Sequence, residues 1–146
     1  MRNSAIAVAN RLLEKAGSDG LDPMKLIKLA YLCQGWMLGL YHQPLVWNDV
    51  EAWRYGPVFR ELYRYVAGKP TIIGSVGISS DEKIRGSFDD RESDLIDQVY
   101  EKYGKKSGLA LSALTHAPGS PWDVTYRERG QNSVIPKDLI EEYYAR

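Results

Sequence analysis

The sequence predicts a mainly α (α+β) fold, a compact domain of about six or seven helices with a small β element. Three observations carry this. Met24 to Leu40 is apolar on more than one helical face, through Leu26, Ile27, Ala30, Cys33, Trp36, Met37 and Leu40, which marks a helix buried on several sides. Helix punctuation recurs along the chain, with starts at Ser4, Asp22-Pro23 and Ser120-Pro121 and stops at Gly17 and Gly104. Stretches of β pattern are few and short, Val50 to Arg54 and Val134-Ile135 among them.

The elements follow in order. Ser4 to Ala16 sets Ile6, Ala9, Leu12, Leu13 and Ala16 on one helical face, and Gly17 ends it. Asp22 caps the long helix, and Pro23 fits its first position, where a missing N–H is harmless. Gly35 and Gly39 each cost that helix about 1 kcal/mol of propensity relative to alanine, so another backbone is expected to pack closely there.

Pro44 and Asn48-Asp49 mark a loop, and Val50 to Arg54 alternates as a strand. The run Glu51-Ala52-Trp53-Arg54-Tyr55-Gly56-Pro57-Val58 then reads as strand, sharp turn and helix start. Pro57 opens a helix to Ala67 that turns Val58, Leu62, Tyr65 and Val66 inward, and Gly68-Lys69-Pro70 stops it. Thr71 to Ile78 is β-branched but broken by Gly74 and Gly77, a weak strand or a loop. Ser79 to Glu92 is polar, charged and expected to be mobile, a loop suited to partner binding.

Asp94 to Tyr103 is helical, and Leu109 to Thr115 is a short apolar helix. Thr115-His116-Ala117-Pro118-Gly119-Ser120-Pro121-Trp122 is a second stiff turn, after which Asp123 can reach back toward the Ser120 amide as in a capping box. Gly130 to Ser133 is a loop, and Lys137 to Tyr144 is a final amphipathic helix. No repeat or linker divides the chain, so one domain over residues 1–146 is expected.

Bulk composition narrows the function. A chain of 146 residues buries about 68–70% of its unfolded surface and needs no metal or disulfide to fold. The 19 basic and 19 acidic residues cancel, which argues against nucleic acid as a partner and leaves self-association open. One cysteine, Cys33, excludes an intrachain disulfide, and its apolar helix places it in the core. The N-terminal apolar run is too short for a signal-peptide core. The uncharged stretch Leu29 to Asn48 contains Gln34, His42, Gln43 and Pro44, so no membrane span is read. A cytoplasmic protein is expected.

Chemistry finds little support. His42 and His116 stand 74 positions apart without a ligand spacing, so no metal and no cofactor is expected. No nucleophile elbow, phosphate loop or dinucleotide fingerprint occurs. A Cys33/His116 pair is weaker than a core role for Cys33. His116 better suits a turn or helix end, and Asp89, Asp90, Asp94 and Asp97 better suit a helix start. Arg54, Arg60, Arg64 and Lys69 form either a solvated, salt-bridged face or a patch for an acidic partner. The chain has 4 Trp and 10 Tyr but only 2 Phe, a balance suited to half-buried sites and interfaces. Trp53 and Tyr55 stay open between core and interface.

Taken together these blocks resemble a known family. Leu21-Asp22-Pro23-Met24-Lys25-Leu26-Ile27-Lys28-Leu29-Ala30-Tyr31-Leu32-Cys33-Gln34-Gly35-Trp36 is similar to the opening of the Panacea, or SocA-like, antitoxin domain. So is Glu51 to Val58, and Leu111-Ser112-Ala113-Leu114-Thr115-His116 with Pro121-Trp122 resembles the family's third block. The closing Ile135 to Tyr144 also fits. The resemblance implies a mostly helical antitoxin of a bacterial or prophage toxin–antitoxin module, one that neutralises a co-encoded toxin by direct protein binding and not as an enzyme. The chain reads as the bare domain without a helix-turn-helix, so repression of its own operon is not expected.

Residue character offers Trp53, Tyr55, Arg60 and Arg64 as the partner face for the cognate toxin. Two alternatives stand beside this reading. In one, a ligand-binding or enzymatic pocket forms where the motif turns Tyr55, Gly56, Pro57 and Thr115, His116, Pro121, Trp122 converge. In the other, the chain is an adaptor delivering a toxin to a protease.

Overall fold

The computed structural model describes residues 3–76 and 86–146. Helix α1, Ala5–Ala16, is capped by the Ser4 hydroxyl accepting from the Ala7 amide and ends at Gly17. Helix α2, Pro23–Tyr41, carries Asp22 as its cap and proline in its first turn, as its sequence predicts. It is the axis of the fold, with α1 and most of the later helices packed round it. Both sides of α2 are buried from Leu26 to Cys33, which explains why its apolar residues keep to no single stripe.

Two strands follow, β1, Glu51–Trp53, and β2, Gly56–Val58, joined by Arg54-Tyr55 into a hairpin. With β3, Ser133–Val134, they form a three-stranded antiparallel sheet in the order β2-β1-β3. Helix α3 is Arg60–Val66, α4 Asp90–Tyr103, α5 Gly108–Thr115, α6 Pro121–Arg129 and α7 Lys137–Tyr144. Seven α-helices among the described residues and one small sheet make the fold mainly α.

The two glycines of α2 receive α7. A Cβ on Gly39 would lie 2.5 Å from the Tyr144 carbonyl group, and one on Gly35 would lie 2.8 Å from the Tyr144 ring. The close backbone approach read from their spacing is therefore made by the last helix. Polar groups hold the loops to this core: the Gln34 side chain accepts from the Leu45 and Val46 amides and donates to the Val46 carbonyl.

Several sequence expectations are corrected. Pro57 does not open a helix. It lies in β2, and α3 starts at Arg60, because pairing with β1 claims Gly56 to Val58. Tyr65 is exposed and not inward, since the buried side of this short helix is the i, i+4 pair Leu62 and Val66, and Tyr65 falls outside it. Helix α4 begins at Asp90 and not Asp94, because Asp89 and Glu92 form a reciprocal capping box one turn earlier. The loop expected over Ser79 to Glu92 therefore ends before Asp90; its residues 79–85 lie outside the described residues. Asp123 takes a hydrogen bond from the Gly119 amide and not from that of Ser120. Of Thr71 to Ile78, Ile72 alone among the described residues bridges, to Leu21.

Candidate functional site

The three motif blocks meet around the β1–β2 hairpin. Gly56 has φ 122°, a conformation that glycine adopts freely and other residues rarely do. Behind it lies Lys28 of α2, only 2% exposed, with Nζ donating to the Pro57 carbonyl at 3.0 Å. A Cβ on Gly56 would sit 3.0 Å from that Nζ, so the glycine also leaves room for the amine. Burial lowers the Lys28 pKa to about 7.

Helices α5 and α6 clasp the same hairpin. The Ser112 hydroxyl donates to the Tyr55 carbonyl at 2.6 Å, and the Trp122 indole N–H donates to the Trp53 carbonyl at 2.6 Å. His116 ends α5, its Nδ1 paired with the Ser112 carbonyl and its ring edge-on to Trp122 at 5.2 Å. The Thr115 hydroxyl donates to the Leu111 carbonyl of its own helix. Pro121 is buried at the start of α6, where Ser120 is the cap. Each of these polar groups thus meets a backbone carbonyl; Ser112 and Trp122 bind two helices to one hairpin, while Thr115 and His116 bond within α5. The two turns do converge, but through the Tyr55 carbonyl and not its hydroxyl. The Tyr55 ring is 60% exposed, with the Arg54 guanidinium 5.4 Å over it.

The other proposed partner-face residues divide. The half-buried Trp53 donates its indole N–H to Glu51 at 2.9 Å and packs edge-on to Tyr63 at 4.8 Å. Arg60 pairs with the same Glu51 carboxylate at 2.9 Å. Both residues therefore help hold the hairpin to α3. Arg64 is exposed and joins no ion pair among the described residues.

Cys33 is fully enclosed, and burial pushes its thiol pKa far up, the opposite of what a nucleophile requires. Among the described residues no three His, Cys, Asp or Glu side chains are grouped to hold a metal ion, and no helix is long and apolar enough to cross a membrane. Sequence reasoning missed Lys28. The available signal was its position as the one formal charge between Leu26 and Tyr41.

These blocks are shared with known proteins. The family model described as "Antitoxin SocA-like, Panacea domain" matches residues 26–123, from α2 through the hairpin to the first turn of α6. The chain belongs to the SocA-like Panacea antitoxin family. It is 36% identical over 138 residues to Antitoxin SocA of Caulobacter vibrioides (strain NA1000 / CB15N), covering 88% of this chain and 73% of that relative. No solved structure matches. In this Panacea domain the blocks that carry the resemblance meet at the hairpin, with Lys28 buried on one side of it and Ser112 and Trp122 binding it to α5 and α6.

Proposed function

We propose that this Panacea-domain chain is a cytoplasmic antitoxin that neutralises a co-encoded toxin by binding it directly, without chemistry of its own. Membership of the SocA-like family, together with 36% identity to an antitoxin over most of the chain, carries this reading. The geometry supports a binding module. The hydroxyl of Ser112, the ring of His116, the indole of Trp122 and the amine of Lys28 all address backbone carbonyls within the fold. A general base or nucleophile instead needs a free reacting atom within reach of substrate. Of the residues offered from sequence for the partner face, Tyr55 and Arg64 remain available at the surface, while Trp53 and Arg60 have internal partners.

The test is co-expression with the neighbouring reading frame. Growth arrest by the neighbour alone, relieved by this chain with a stable complex on co-purification, is the expected outcome. Rescue without a complex would replace binding by an adaptor or an enzymatic antidote. A harmless neighbour would remove the antitoxin reading for this chain.

A further inference from the structure

We infer that the outward face of α5 and the cleft beside it form the docking surface for the neutralised toxin, and that the toxin segment received there is acidic and amphipathic. The inference rests on the antitoxin reading and adds where the partner sits and what chemistry it carries.

Helix α5 presents two unlike faces, and the outward one is the more apolar. Gly108, Leu111, Ser112 and Thr115 are buried against the core and the hairpin. The opposite positions, Leu109, Ala110, Ala113 and Leu114, are exposed, Leu109 at 77% and Leu114 at 44%. An outward helix face is ordinarily polar, so a contiguous leucine–alanine stripe marks a surface that a partner covers. Leu114 continues the stripe into a cleft of about 340 Å³ lined also by Trp36, Tyr103, Tyr143 and Arg146. A leucine stripe leading into an aromatic-walled cleft fits the apolar anchors of an amphipathic segment.

Charge selects the occupant. The Lys102 ammonium lies over the Trp36 and Tyr103 rings at 5.1 and 5.3 Å, and the Arg146 guanidinium lies over Tyr143 at 5.3 Å. Lys105 and Lys106 occupy the loop that leads into α5. None of these four cations joins an ion pair among the described residues. Glu101 and Glu142, exposed on the neighbouring α4 and α7, pair with none of them. An apolar surface bordered by unpaired cations complements apolar anchors flanked by carboxylates.

The experiment uses the full chain and the product of the neighbouring reading frame, with Leu109→Glu and Leu114→Glu made singly, Lys102→Glu/Lys106→Glu as a pair, and Ile73→Glu, an exposed apolar position on another loop, as control. Leu109 is exposed enough that its variant should keep the wild-type circular dichroism and melting temperature, which guards against loss of fold at Leu114. Expected are a loss of affinity of at least 50-fold, on the order of a hot-spot truncation, for each leucine variant and about tenfold for the charge reversal. Wild-type affinity should also fall as salt rises, and the control should bind as wild type. If wild type binds and Leu109→Glu binds equally, the docking surface is wrong while the antitoxin reading stands. If wild type neither binds nor rescues, the antitoxin reading fails and this inference with it. If sedimentation shows a wild-type dimer that Leu109→Glu splits, the face receives a second copy of the chain, which overturns the toxin as its occupant.

Discussion

Lys28 shows how one residue ties the sequence to the stability of the site. Its amine is enclosed behind the hairpin with one carbonyl as partner, and burial depresses its pKa to about 7 from an unfolded value of about 10.4. Between those pH values the unfolded chain binds a proton that the folded chain does not, so this residue's contribution to stability rises with pH through that window. Below pH 7 the amine is charged in both states and its buried charge is a constant penalty. Cys33, Tyr31 and Tyr144 act the other way at alkaline pH, because burial raises their pKa values. The measurement is therefore a difference: urea unfolding of wild type and Lys28→Met at pH 6.5, 8 and 9.5. The wild type should gain on the variant as pH rises. A difference that stays flat with pH would mean the amine is solvated and its depressed pKa is wrong.

At the scale of elements, the hairpin depends on two hydrogen bonds from different helices, Ser112 to the Tyr55 carbonyl and Trp122 to the Trp53 carbonyl. Ser112→Ala and Trp122→Phe should each lower stability by about 1–2 kcal/mol, since each leaves a carbonyl without its donor. Because both bonds hold one short hairpin, the double variant should depart from additivity by at least about 0.5 kcal/mol, which a double-mutant cycle in urea would read. Strict additivity would mean that α5 and α6 hold the hairpin independently. The same hairpin shows what was legible in the sequence. The caps of α2 and α6 and the burial of α2 on several sides follow from local residue chemistry, and they were readable, although Leu40, read as inward, is exposed. Tyr55-Gly56-Pro57 was misread as a helix start because Gly-Pro punctuates a hairpin equally well. What decides is pairing with β1, itself held by β3, whose Val134 lies opposite Glu51 from far along the chain. The outward face of α5 was likewise unreadable as a surface, because a short helix rich in leucine and alanine looks the same as a buried core helix until its neighbours are placed.

For the molecule as a whole, the decisive contact is between the second helix and the last one. Helix α7 lies on α2 where Gly35 and Gly39 remove side chains, and Tyr144 reaches the Tyr31 and Trp36 rings at 6.0 and 5.3 Å. That contact also forms one wall of the cleft beside α5, through Tyr143 and Tyr144, so folding of the last helix and assembly of the proposed docking surface are one event. Gly39→Ala tests this. The added Cβ would meet the Tyr144 backbone at 2.5 Å, an overpacking that costs about 1–3 kcal/mol and so matches or exceeds alanine's helix advantage of about 1 kcal/mol. If residues 1–146 fold as one domain, the far-UV circular dichroism and tryptophan fluorescence transitions of the variant should both move to lower urea and stay coincident. A fluorescence transition that precedes the loss of the helical signal would show that the chain does not unfold as one unit, and the single-domain organisation would then be wrong.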